Sequence, residues 1–90
     1  MSAKSARRSV IVSNPAGLHA RPAAAIVQAV RRFKSKVEIR KENEVVDAGN
    51  ILDLMTLCAT QGTELLLTAK GPDADQVLDA VVAEFAKHYE

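Results

Sequence analysis

The chain has 90 residues, with 12 Lys and Arg against 11 Asp and Glu and a net charge of +1. That length fits one domain spanning residues 1–90 with a single core, and so even a charge balance excludes a protein held on nucleic acid by phosphate contacts. Cys58 is the lone cysteine, which excludes an internal disulfide, and no apolar run reaches the roughly 18 residues of a membrane span. A cytoplasmic protein without membrane insertion is therefore expected.

Met1 to Arg8 is basic and polar, with no apolar stretch ahead of a cleavage site, and is expected as a short tail leading into the first strand rather than a signal peptide. Ser9 to Ser13, carrying Val10 and Val12, predicts strand one. Asn14-Pro15-Ala16-Gly17 is a turn. A helix follows from about Ala20 to Phe33, with Ala23, Ile26, Val27, Val30 and Phe33 on one stripe. Arg31, Arg32 and Lys34 complement the dipole at its end. Lys36 to Arg40 alternates, with Val37 and Ile39 inward, and predicts strand two; Val45 and Val46 form a short third strand after a polar turn. Asn50 is a good N-cap for a short second helix bearing Ile51, Leu52, Leu54 and Met55.

Thr63 to Ala69 is strand four, and Gly71-Pro72-Asp73 turns into a third helix with Val77, Leu78, Val81, Val82 and Phe85 on one face. The order is β-α-β-β-α-β-α. Each helix has one apolar stripe, which is best satisfied by a two-layer α+β sandwich with the helices on a single face of one sheet. Phe33, Phe85 and Tyr89 are the only aromatics, so the core must be aliphatic.

Gly17-Leu18-His19-Ala20-Arg21-Pro22 carries the chemistry. A helix start has N–H groups without intrahelical partners and the positive end of the dipole, which suits a phosphoryl group. Pro22 lacks an N–H where none is needed. His19 offers a ring nitrogen that can attack near neutral pH, and Arg21 adds a permanent forked cation. Other residues offer less. His88 reads as a cation at a helix end and Cys58 as a small core filler. Two distant histidines and one cysteine make no metal site by spacing, and no cofactor is implied.

The run Asn14 to Ala24, the segment Asn50-Ile51-Leu52-Asp53-Leu54-Met55-Thr56-Leu57 with Thr60-Gln61-Gly62-Thr63 after it, and Ala69-Lys70-Gly71-Pro72-Asp73 together resemble the HPr family, the histidine phosphocarriers of the bacterial sugar phosphotransferase system. The likeness runs from about Val10 to the C-terminus. It implies an open-faced β-sandwich, with a four-stranded antiparallel sheet and three helices on one face, and a monomer. It implies that His19 takes a phosphoryl group on Nδ1 from phospho-enzyme I and passes it to enzyme II A-domains, with Arg21 beside it. It makes Ala20, Ile51, Leu52 and Met55 the partner-binding residues, with Leu52 and Met55 partly exposed. Such a protein is a phosphotransfer intermediate, not an enzyme with turnover on a free substrate.

Many relatives carry a kinase-regulated serine where this chain has Asn50, so that control is expected to be absent here. Asp53 stands where some relatives have a basic residue. Two alternatives follow: a carrier of a nitrogen-related or incomplete, regulatory system, and a regulatory module that docks through Ile51, Leu52 and Met55 without phosphate.

Overall fold

The computed structural model describes residues 4–87. Its order is β1 (Ser5–Ile11), α1 (Ala20–Arg31), β2 (Lys36–Lys41), β3 (Glu44–Asp47), α2 (Ile51–Thr56), β4 (Glu64–Lys70) and α3 (Ala74–Phe85). The four strands form one sheet in the spatial order β1-β4-β2-β3. All three pairings are antiparallel, with Ser5 opposite Lys70, Val37 opposite Ala69 and Ile39 opposite Val46.

Alternation sorts the sheet into two faces. Val37, Ile39, Leu65 and Leu67 are fully buried on one face, under Ile26 of α1 and Val77, Leu78 and Val81 of α3. The opposite face presents Arg7, Glu38, Arg40 and Lys70 to solvent. The expected open-faced two-layer sandwich is thus the observed one, and its core is almost wholly aliphatic.

The first strand begins earlier than expected. Residues Ser5 to Arg8, read from the sequence as the end of a tail, pair with β4 from Thr68 to Lys70 and at Leu67. Only Ala6 among them is apolar and buried. Arg8 occupies a core-side position on an edge strand and escapes sideways, its Nη2 donating to Asp75 at 3.2 Å and Asp79 at 3.3 Å on α3. An edge strand built this way carries almost no apolar signal. Val12, past the end of β1, still donates its N–H to Thr63 O and accepts from Gly62. Helix α1 closes at Arg31, two residues short of Phe33, which packs partly buried against the core. His88, Tyr89 and the first three tail residues lie outside the described range.

The turn between β4 and α3 is locked to the turn between α1 and β2. Gly71 has φ +147°, and a Cβ there would lie 2.6 Å from Ser35 Cα. Ser35 and Lys34 donate their N–H groups to the Asp73 carboxylate. Among the described residues no helix is long and apolar enough to cross a membrane, and no cluster of three His, Cys, Asp or Glu is placed to hold a metal.

Candidate functional site

His19 is the N-cap of α1, in extended conformation, with no side-chain capping bond. The chain reaches it through a fastened turn. Asn14 is buried; its carbonyl accepts from Gly17 N–H at 2.9 Å, and its Nδ2 donates to Gly17 O at 3.0 Å. Gly17 takes φ +74°, a left-handed value that only glycine adopts without strain. A Cβ on it would meet Ala59 O at 2.6 Å. That closeness lets the next residue, Leu18, donate its N–H to the same Ala59 carbonyl at 2.8 Å. The loop after α2 thereby holds the residue before His19 in place.

The His19 ring is half-buried. Its Nε2 is buried without a hydrogen-bond partner, so the solvent-facing part of the ring lies elsewhere. The His19 carbonyl accepts the first intrahelical bond, from Ala23 at 3.0 Å. The N–H groups of Ala20 and Arg21 therefore precede any helical acceptor, and Pro22, buried in the same turn, has none. Ala20 and Arg21 are exposed. An imidazole at the positive end of a helix dipole, two residues ahead of an arginine, suits an anion attached to the ring.

Helix α2 lies alongside α1 in antiparallel fashion. Its C-terminal loop meets Leu18, and its start meets the far end of α1, where Arg31 Nη2 donates to Gly49 O at 3.3 Å. Asn50 caps α2, its Oδ1 accepting from Asp53 N–H at 3.1 Å. Asp53 in turn accepts from Asp47 N–H at 3.3 Å. This fixes the acidic residue in the first turn of α2, where the dipole favours it. Leu54 is fully buried, while Leu52 is 73% exposed and Ile51 and Met55 are each 37% exposed. A six-residue helix can bury only one side, and here the outward side is apolar.

One expectation from the sequence is corrected. Cys58 is exposed, not in the core, and has φ +50° directly after the C-cap Leu57. Helices often end on a left-handed residue, which is usually glycine, and a cysteine in that position points outward. Asn14 and Ala59, which set the approach to His19, were not singled out in the sequence. The signal for Asn14 was present: Asn at the head of a Pro- and Gly-containing turn commonly bonds its own backbone. The Ala59 contact depends on packing and has no local signature.

Comparison with known proteins gives a consistent picture. Residues 6–87 match the family model described as the PTS HPr component phosphorylation site. The chain is 42% identical over 83 residues to the phosphocarrier protein HPr of Treponema pallidum (strain Nichols), covering 92% of this chain and 94% of that one. It is 43% identical over 67 residues to the HPr-like protein Crh of Bacillus subtilis (strain 168), covering 74% and 79%. Among solved structures, the phosphocarrier protein HPr of Bacillus anthracis str. Ames superposes with a TM-score of 0.84 at 36% identity, covering 89% of this chain and 95% of the other.

Proposed function

The chain belongs to the HPr family of phosphocarriers, and from that premise we propose that His19 accepts a phosphoryl group from phospho-enzyme I and passes it to enzyme II A-domains. The observation that carries this reading is the placement of His19 as N-cap of α1, behind a turn fastened by Asn14, Gly17 and Ala59. Nδ1 is the attacking atom, since Nε2 is buried. The nitrogen lone pair forms the N–P bond as the donor's phosphorus–nitrogen bond breaks, and the reverse exchange delivers the group to an acceptor. Between two similar nitrogens little is required beyond positioning and charge stabilisation. Ala20 and Arg21 N–H groups and the Arg21 guanidinium supply the latter. The protein acts as a monomeric cytoplasmic intermediate, not as an enzyme turning over a free substrate.

The docking surface is Ala20 with Ile51, Leu52 and Met55. Met adapts to differing partner shapes, which suits a carrier that must meet a donor and several acceptors. Asn50 offers no hydroxyl to a kinase and holds the helix cap instead, which favours a carrier outside serine-based control.

The test is incubation with enzyme I and phosphoenolpyruvate, read by intact mass. The expected result is an acid-labile gain of one phosphoryl group that is absent from His19→Ala. No gain with an active enzyme I would overturn the carrier reading and favour a module that docks through α2 alone.

A further inference from the structure

The open face of the sheet carries three cations, Arg7, Lys36 and Lys70, around Glu38 at the end remote from His19. Lys36 and Lys70 are directly opposed on neighbouring strands, and Ser5 faces Lys70 from the other side. Arg7, opposite Thr68, stands one pleat along on the same face. Directly opposed residues of an antiparallel pair project to the same side, and like charges placed so repel. None of the Arg7, Lys36 or Lys70 side chains makes a hydrogen bond or ion pair among the described residues. Between Lys36 and Lys70 lies a hollow of about 240 Å³ lined by Lys36, Glu38, Thr68 and Lys70, and Arg7 lines the adjoining hollow with the same Glu38 and Thr68. β1 runs from Ser5 to Ile11 and α1 begins only afterward, so His19 sits at the other end of the sandwich, on the helical layer.

We propose that this hollow binds a phosphate dianion, bridged by the Lys36 and Lys70 ammonium groups and approached by Arg7. Two ammoniums on adjacent strands reach one tetrahedral anion from two sides, which turns their mutual repulsion into a shared attraction. Thr68 supplies a hydroxyl donor to the same oxygens. Glu38 forms the wall toward β3 and accepts hydrogen bonds. Its charge opposes the bare anion, and hydroxyls borne on carbon give it donors set apart from the phosphoryl oxygens that the lysines hold, so the ligand class is a phosphorylated polyol. No bond is made or broken, and the site is separate from phosphoryl transfer at His19.

The experiment is an amide NMR titration of the whole protein at constant ionic strength, balanced with chloride. Inorganic phosphate and glycerol 3-phosphate are the two probes. The expected result is saturable shifts at Ser5, Arg7, Lys36, Thr68 and Lys70, with glycerol 3-phosphate the tighter ligand. Lys36→Gln/Lys70→Gln should weaken both at least tenfold while any shifts at Leu18 to Arg21 persist. Glu38→Gln should remove the preference for the polyol ester. These side chains are exposed, and an unchanged spectrum of the free variants checks their fold. Non-saturating shifts, shifts confined to the start of α1, or equal binding by the double variant would overturn the site. Equal affinity for the two probes, unmoved by Glu38→Gln, would overturn the assignment to a polyol ester.

Discussion

Ser35 and Asp73 hold each other in both directions. Ser35 donates its N–H and its Oγ to the Asp73 carboxylate at 2.9 and 2.6 Å, and Asp73 returns its own N–H to Ser35 Oγ at 3.1 Å. The Asp73 carboxylate also takes the Lys34 N–H at 2.9 Å. It therefore does not cap its own helix but ties α3 to the α1–β2 turn. Ser35 is buried, and Ser35→Ala leaves Asp73 N–H and a carboxylate oxygen short of partners. The expected loss is about 1–3 kcal/mol, read by urea unfolding.

The same bonds set a pH dependence. The Ser35 hydroxyl first, then the Lys34 and Ser35 N–H groups, hold the Asp73 carboxyl below its ordinary value of 3.8. The folded protein binds this proton less readily than the unfolded chain does, so the contribution is complete above that value and fades as pH falls through the lower, folded one. The melting temperature of Asp73→Asn should lie below the parent's at neutral pH. The gap should narrow only below pH 3.8. A gap that stays constant into acid would contradict this.

Gly17 is the residue on which the His19 approach depends. Gly17→Ala places a Cβ against Ala59 O and forces a left-handed φ on alanine. The expected cost is about 1–3 kcal/mol. Phosphoryl uptake by the folded fraction should fall as well, because Leu18 N–H can no longer hold Ala59 O as closely. Unfolding curves together with a phosphorylation time course check both.

Cys58 offers the reverse experiment. It ends α2 at φ +50° and exposes its side chain. Cys58→Gly relieves the left-handed strain and should raise stability by about 1 kcal/mol. Urea unfolding with reducing agent present, and an unchanged rate of phosphorylation, are the expected outcome.

The inner and outer faces of α2 can be separated by one pair of variants. Leu54 is fully buried, and Leu54→Ala should cost about 2–5 kcal/mol. Leu52 is mostly exposed, and Leu52→Asp should change stability by no more than about 0.5 kcal/mol. If α2 docks the donor, Leu52→Asp raises the KM for this protein in the enzyme I reaction and leaves its fold intact.

How far the sequence reveals the molecule depends on whether each feature is local. The stripe from Ala23 to Val30, the alternation of Val37 and Ile39, and the Asn50 cap each follow from a few neighbouring residues, and each is found where the pattern places it. Ser5 to Arg8 is a strand because β4 pairs with it and α3 supplies Asp75 and Asp79 to Arg8, facts that no local window contains. At the site, His19 and Arg21 stand out as chemistry in the sequence. The partners that place them do not: Asn14 is concealed in a turn, and the meeting of Gly17 with Ala59 joins segments some forty residues apart. Cys58 stands outside the core because its position is set by helix termination, which a small apolar residue does not announce.

The strand order β1-β4-β2-β3 has a consequence for how the chain comes to be made. β4, the last strand to leave the ribosome, is an inner one, and among the described residues it is the one strand paired with β1. Until Lys70 has emerged, the first strand has nothing to pair with, and β2 and β3 amount to a lone hairpin with an uncovered apolar side. Nascent chains therefore cannot consolidate by stages from the N-terminus. The sheet closes in one late event that joins residues as far apart as Ser5 and Lys70, which makes folding slow for so small a protein and nearly all-or-none.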